Sequence, residues 1–373
     1  MKKIGITGVN GFIGQHLFNT LSQKKNIFLV PFQRDFFENE SKLDNFINNC
    51  DVIVHLAGLN RSNDEDFIFN VNINITSAII SSLNRTNSKP HIIFASSSQE
   101  YMNNIYGKSK KIARLNLKDW SLSNKSMFTG LIIPNVFGPF GVPFYNSFIS
   151  TFSHQLINSE VPEIKIDNEV KLIYIDKLIA DIIDIINHPV NNDFYQIMHT
   201  HTKRVSEVLE LLRLFKNQYL DNGQIPRLEL GSFELNLFNT FRSYIPKKYF
   251  PINFTKHTDN RGSFVEIMRS GSAGQSSYST TVPGITRGNH FHTRKIERFA
   301  VISGKASIKL RKVNSDEVIE YTLDGQSPSY VDMPVWYTHN ITNIGNNELI
   351  TLFWINEPYN EEDSDTYFMK VNV

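Results

Sequence analysis

The sequence predicts two folds in one chain: an α/β, doubly wound parallel sheet up to about residue 245, then an all-β barrel. Three observations carry this. A short β run, a glycine turn and a helical run open the chain, which is how a parallel sheet built from βαβ units begins. Two prolines in Ile245-Pro-Lys-Lys-Tyr-Phe-Pro251 then break the helical patterning. From Asn253 onward, short β-branched or aromatic runs alternate with turn residues. At 373 residues the chain exceeds the usual single domain, so domains of 1–245 and 246–373 are expected.

Composition narrows the class. Apolar residues make up 40% and charged residues 20%, as in soluble globular proteins. A net charge of +1 creates no field that favours nucleic acid or an anionic membrane. The one cysteine, Cys50, excludes an internal disulfide and fits a reducing compartment. No apolar run reaches about 18 residues, and the N-terminus lacks a cleavage pattern. A cytoplasmic protein without a membrane span is expected.

The first strand is Lys3-Ile-Gly-Ile-Thr7. Gly8, Gly11 and Gly14 follow, with Phe12 and Ile13 between them, and helical spacing takes over from Gln15. Glycines between a strand and a helix make the tight turn. They also let backbone amides approach a pyrophosphate at the helix N-terminus. A Rossmann-like, nicotinamide-dinucleotide site is therefore expected. Ile27-Phe-Leu-Val30 is the second strand, and NAD-specific folds place an acid at its end. This chain has Gln33-Arg34 there. A guanidinium pairs with a 2′-phosphate, which favours NADP(H); Asp35 one residue away, and a plain solvated surface charge at Arg34, are the competing readings.

Asp51-Val-Ile-Val-His-Leu-Ala-Gly58 is a buried parallel-type strand. It ends in Ala57 and Gly58, small enough for a cofactor to lie close. Ile92-Ile-Phe-Ala-Ser96-Ser97-Ser98 ends in hydroxyls, and Tyr106 and Lys110 follow four apart, on one helix face. An ammonium beside a phenol favours the phenolate, so a lowered Tyr106 pKa is expected, suited to proton transfer near neutral pH.

Together with Ile133-Pro134-Asn-Val-Phe-Gly138, these residues resemble the extended short-chain dehydrogenases/reductases that act on nucleotide sugars. The resemblance implies Ser97 as the catalytic hydroxyl, four residues before Tyr101, with Ser96 and Ser98 as rivals. It implies that Lys110 also holds the nicotinamide ribose, that Asn72 supports the site, and that Pro134 flanks the cofactor. The family's usual Arg before Pro-Asn is Ile133 here. Dehydrating members carry an Asp-Glu pair after the catalytic hydroxyl. This chain has Ser98-Gln99, which leaves hydride transfer at a ketone.

Lys171–Asp176 is read as a later strand, and 176–186 and 206–215 as amphipathic helices of a substrate-side subdomain. His199-Thr-His201 lacks any downstream glutamate and is read as structural. The helical pattern continues through Phe233–Phe241.

In the barrel half, His290 and His292 lie two apart and point to one face of a strand. Glu297 comes five residues after His292, far enough to return on the next strand. Pro334-Val-Trp-Tyr-Thr-His339 offers a third imidazole. Three nitrogens and one oxygen suit zinc or another divalent first-row metal. Gly-x5-His-x-His-x4-Glu-x6-Gly and Pro-x4-His-x3-Asn resemble the two motifs of the cupin family, small metal-holding β-barrels. The second departs at Trp336, where cupins often carry Gly. Asp259–Glu266 resembles the opening of the cupin sugar 3,5-epimerases, which use a histidine base without metal. The acidic run Glu361-Glu-Asp-Ser-Asp365 is read as a solvated turn, and Tyr367–Met369 as an edge strand or dimer contact.

Joined in this order, the halves resemble bifunctional capsule-synthesis enzymes that fuse a reductase to a metal cupin. That resemblance implies a UDP-sugar substrate, zinc, NADPH and a homodimer. It implies C3 epimerisation of a UDP-2-acetamido-2,6-dideoxy-4-ketohexose in the barrel, followed by C4 reduction. Lys309, Tyr337 and Asp332 are candidate bases. Two other readings stay open: a single-activity ketosugar reductase with a structural barrel, and a non-catalytic nucleotide sensor, which has no need of Tyr106 and Lys110.

Overall fold

The first strand, β1 (Lys2–Thr7), pairs in parallel with both β2 (Ile27–Val30) and β3 (Val52–His55). In this computed structural model, residues 1–259, 262–265, 274–357 and 360–372 are described. Asn260, Arg261 and Glu266 of the run expected to open the barrel lie outside them. Two compact units form: Met1–Thr151 with Ile164–Val205, and Phe152–Glu163 with Ser206–Val373.

In the first unit, α1 (Phe12–Ser22), α2 (Glu40–Asn48), α3 (Glu65–Thr86), β4 (His91–Ser97), α4 (Ile105–Asn124), β5 (Phe128–Ile133), β6 (Asn135–Phe137) and the start of α5 (Phe148–Ile157) appear in turn. β7 (Glu169–Tyr174), α6 (Ile175–Asn187), β8 (Asn192–Gln196) and β9 (His201–Arg204) complete it. The main sheet has the order β2-β1-β3-β4-β5-β8, all parallel. β3 and β5 are buried along their whole length, as strands covered on both faces must be. The strand expected at Lys171–Asp176 joins β6 and β9 in a separate three-stranded sheet. Helix starts follow capping chemistry: Asn39, Asp64 and Asn104 each accept a main-chain N–H three residues on.

The second unit opens its main run with α7 (Val205–Phe215) and α8 (Phe233–Arg242). The amphipathic stripe of α7 is expected from the sequence to serve a substrate-side subdomain of the first half. Both helices belong instead with the barrel, because an apolar stripe fixes that a face is buried, not which partner buries it. Asn239 donates to the Arg294 carbonyl at 3.2 Å and Arg242 to the Met333 carbonyl at 2.8 Å.

The barrel strands are β10 (Ile252–Asn253), β11 (Lys256–Asp259), β12 (Gly262–Val265), β13 (Gln275–Thr281), β14 (Thr286–Phe291), β15 (Glu297–Ser303), β16 (Lys305–Lys312) and β17 (Val318–Asp324). They continue through β18 (Ser329–Met333), β19 (Tyr337–Asn343), β20 (Leu349–Ile355) and β21 (Tyr367–Phe368). β11 and β12 form a separate hairpin. The others make two antiparallel five-stranded sheets, β10-β18-β15-β20-β13 and β17-β16-β19-β14-β21. Val301, Val331, Met333 and Leu349 of one sheet meet Ala306, Ile308, Leu310 and Ile341 of the other in one buried core. Side chains alternate along each strand, so the odd positions of β15 and β19 face that interior. The all-β barrel expected from the sequence is therefore present, and β21 pairs with β14 as its sheet's edge strand.

Candidate active sites

The glycine turn is built as the sequence requires. Gly8 has φ +74°, and its carbonyl accepts from Gly11 N–H at 2.9 Å. A Cβ on Gly14 would come within 2.1 Å of that carbonyl oxygen, so no side chain fits where α1 starts. Thr7 bridges this turn to the end of β3. Its hydroxyl accepts from Ala57 N–H at 3.2 Å and meets His55 Nδ1 at 2.6 Å. His55 is fully buried, and burial pushes its imidazole down to about 3, so it stays neutral. Sequence reading missed both partners, since only the fold brings β1 and β3 together.

Asn72 is buried on α3. It donates to Leu59 O at 2.8 Å and Ser109 Oγ at 2.9 Å, and accepts from Leu59 N–H at 2.7 Å. It thereby fixes the loop after Gly58 against α4. Ser97 ends β4 and its oxygen accepts from Gln99 N–H at 3.1 Å. Its own proton donates to no group among the described residues. A Cβ on Gly107 would lie 2.0 Å from the Gln99 carbonyl. This close approach sets the first turn of α4, which carries Tyr106, beside the exit of β4.

Lys110 is buried, and burial pulls its ammonium down to about 7, with Glu100 opposing. The expected lowering of the Tyr106 phenol is not found: burial pushes it up to about 12, with Tyr145 adding to the rise. Two effects explain this. Desolvation disfavours the phenolate, and a lysine near 7 carries only part of a charge at neutral pH to oppose it.

Among the expected cofactor contacts, Phe12 and Ile13 are half-buried at the start of α1, Pro134 is buried between β5 and β6, and Gln33 and Arg34 are exposed beyond β2. Asp35, the competing acid, forms an ion pair with Lys42 at 2.7 Å. Ile133, in place of the family's Arg, is simply core, 4% exposed. One acid in this region was not singled out from sequence. Glu100 accepts from Ser96 Oγ and forms an ion pair with Arg114 at 2.8 Å, with both charged side chains buried.

In the barrel, His290, His292, Glu297 and His339 bring their ligand atoms within 4.8 Å of one another. His290 and His339 are direct cross-strand partners. An extra residue in β14, Asn289 with φ +62°, makes the bulge before His290. Glu297 begins β15. Its Oε2 lies 3.0 Å from His292 Nε2 and 3.2 Å from His339 Nε2. Burial alone would push the Glu297 carboxyl up, but the two imidazoles outweigh it and hold the group well below the usual range. Burial and the neighbouring His339 and His292 push His290 down to about 4, so it is neutral and ready to donate a lone pair. His339 Nε2 is fully buried and, beyond its 3.2 Å approach to Glu297 Oε2, makes no hydrogen bond among the described residues. A buried polar atom left so is costly, and a cation among these four donors would satisfy it. Three nitrogens and one carboxylate oxygen fit a divalent first-row metal. His199 and His201 form no such cluster among the described residues.

The surrounding residues correct two expectations. Trp336, where cupins often carry Gly, adopts φ +61°. It keeps the turn a glycine would make, while its ring stacks on Phe291 at 5.5 Å. The acidic run is not a solvated turn throughout. Asp365 is 4% exposed, and its carbonyl accepts from His292 Nδ1 at 2.6 Å. Nothing in the local pattern of Glu361–Asp365 separates it from the acids before it. Of the three candidate bases, Asp332 faces away from the ligands on β18. It is locked to Arg298 at 2.8 Å and accepts from Tyr219. Lys309 also faces outward, paired with Asn340 across β19, and lies 3.7 Å from Glu320. Tyr337 shares the strand face of His339.

Comparison with known proteins agrees with this geometry. The NAD dependent epimerase/dehydratase family matches residues 4–198, and the polysaccharide biosynthesis C-terminal domain matches residues 257–367. A UDP-2-acetamido-2,6-beta-L-arabino-hexul-4-ose reductase of Pseudomonas aeruginosa is 32% identical over 374 residues, 99% of each chain. The capsular polysaccharide assembling protein CapF of Staphylococcus aureus, known from its crystal structure, is 34% identical. The match covers 99% of this chain and 100% of that one, with a TM-score of 0.62. The UDP-glucose 4-epimerase of Thermotoga maritima, at 17% identity and TM-score 0.51, covers 58% of this chain and 82% of its own and shares the fold alone. The chain belongs to the NAD dependent epimerase/dehydratase family, in the branch that adds the polysaccharide biosynthesis C-terminal domain. Within that branch its end-to-end similarity is to the CapF type, a reductase joined to a cupin.

Proposed function

We propose that this chain is a bifunctional nucleotide-sugar enzyme. In this reading the barrel, 246–373, inverts C3 of a UDP-2-acetamido-2,6-dideoxy-4-ketohexose. The reductase half, Met1–Thr151 with Ile164–Val205, then reduces the C4 ketone with NADPH to UDP-2-acetamido-2,6-dideoxy-L-talose. The product leads towards UDP-N-acetyl-L-fucosamine for a capsule or O-antigen. One observation carries the proposal: a chain similar over its whole length to a hexul-4-ose reductase keeps two separate sets of chemical groups, Ser97/Tyr106/Lys110 and His290/His292/Glu297/His339. We expect it to act as a homodimer in the cytoplasm.

A nicotinamide cofactor bound along the glycine turn supplies the hydride. Tyr106, with its phenol pushed up to about 12, keeps its proton at neutral pH and is the donor to the C4 oxygen as charge develops there. Ser97 offers its hydroxyl proton to the same oxygen. Lys110, its ammonium pulled down to about 7, keeps part of a positive charge at neutral pH, which the cofactor's ribose and the developing alkoxide both favour. Arg34 makes no hydrogen bond or ion pair among the described residues, while Asp35 is occupied by Lys42. This supports a 2′-phosphate partner and so NADPH over NADH. Ser98-Gln99 follows the catalytic hydroxyl where dehydrating members carry an Asp-Glu pair, and the next acid, Glu100, is held by Arg114.

His290, His292, Glu297 and His339 would hold a divalent ion such as zinc, which would supply Lewis acidity at a C4 carbonyl and so favour loss of the C3 proton. The barrel's residues orient the ring, and Tyr337, on the face of His339, is the candidate base that remains from the sequence reading.

The test uses a UDP-4-keto-6-deoxy-N-acetylhexosamine in deuterated buffer without NADPH, followed by proton NMR. Loss of the C3 proton signal, then reduction when NADPH is added, is expected. Persistence of the signal alongside NADPH consumption would sink the epimerase and leave a reductase with a structural barrel.

A further inference from the structure

We infer that Asp365 is a positioning residue for His292, an inference that rests on reading the three histidines and Glu297 as a metal site. Its main-chain carbonyl accepts from His292 Nδ1 at 2.6 Å. A carbonyl can only accept, so Nδ1 carries a proton, and Nε2, 3.0 Å from Glu297 Oε2, is the nitrogen that faces the ligand cluster.

The same residue holds the loop between the two ligand strands. Its carboxylate accepts three consecutive main-chain N–H groups: Thr293 at 3.1 Å, Arg294 at 3.0 Å and Lys295 at 3.1 Å. It also accepts the Thr293 hydroxyl at 2.6 Å. Hydrogen bonds to an ionised acceptor are the strong kind. One side chain therefore fixes the path from His292 to Glu297, while its own carbonyl fixes the imidazole. Asp365 has φ +43°, a conformation that Asp and Asn tolerate better than Ala does.

The segment around it is tied down in turn. Arg294 pairs with Asp363 at 2.8 Å and with Glu357 at 3.2 Å. Met369 N–H donates to Asn289 O on β14 at 2.8 Å, and Thr338 on β19 donates to Met369 O. The tail from Asp363 thus braces, from outside, the strands that present His290 and His339.

The experiment titrates zinc into the chelator-stripped full chain, in competition with a chromogenic chelator, and records the d–d spectrum of the cobalt(II) form. Wild type is expected to bind one zinc, and no binding at all would remove the metal reading itself and this inference with it. Asp365→Ala is expected to weaken zinc about 10–100-fold and to shift the cobalt bands. Asp365→Asn keeps the carbonyl, one oxygen acceptor and the left-handed backbone, and should recover most of the affinity. Thr293→Val removes a single donor and should cause a smaller loss. Should Asp365→Ala fail to fold, Thr293→Val decides. Wild-type zinc affinity and an unchanged cobalt spectrum in the variant that folds would overturn the inference.

Discussion

The Lys110 ammonium stands 4.1 Å from the centre of the Phe94 ring, in the buried floor of the reductase site. The ring face attracts the cation, yet loss of water dominates and brings the group from 10.5 to about 7. The folded state therefore binds fewer protons than the unfolded chain between about pH 7 and 10.5. Stability must rise with pH across that window and be lost again as pH falls through 7. Between pH 7.5 and 9.5, wild type should gain about 2 kcal/mol relative to Lys110→Met in urea unfolding. The Tyr106 phenol acts in the opposite sense, but only above pH 10. Parallel pH profiles for the two proteins would refute the buried, neutralised lysine.

Arg34 is exposed on the turn after β2, and the neighbouring acid is taken by Lys42. A guanidinium on a 2′-phosphate makes a charge-assisted hydrogen bond worth about 1.5–3 kcal/mol. Arg34→Ala should therefore lower kcat/KM for NADPH about 10–100-fold and leave NADH almost unchanged, read from initial rates with both cofactors. Equal losses for the two would mean that Arg34 does not read the phosphate.

Trp336→Gly sets two effects against each other. The left-handed backbone costs a tryptophan about 1–3 kcal/mol, which glycine would relieve. Emptying the pocket against Phe291 costs about 3–5 kcal/mol, as for other large buried rings. Packing should win, so the variant is expected to be less stable by about 1–3 kcal/mol although it restores the residue cupins often have. Calorimetric melting that shows a gain would reverse the ranking.

Much of both sites was legible because their chemistry repeats at short range. Tyr106 and Lys110 share a helix face by their spacing, and His290 and His292 share a strand face by theirs. Glu297 follows close enough to return on the next strand. What stayed hidden depends on distance along the chain. Asp365 reaches His292 across 73 residues, and nothing beside it marks it as buried. The Tyr106 phenol went the other way from expectation because desolvation is set by every element around it, not by the lysine one turn along. α7 is legible as a helix, but its partner is not, since a stripe carries no address.

The pairing of Glu100 with Arg114 has a consequence for reaction fidelity. In the proposed reaction a 4-keto sugar is activated at both carbons flanking the ketone, so a stray carboxylate near it invites exchange or inversion at C5 as readily as at C3. Glu100 follows directly on the serine-ended strand, where an acid would be most disruptive. The guanidinium and the Ser96 hydroxyl occupy its oxygens and take it out of circulation. Cutting that tether, for instance by Arg114→Met, changes more than stability. It frees a latent base, and the mark of its release would be proton exchange at C5, the flanking carbon that the proposed reaction leaves alone.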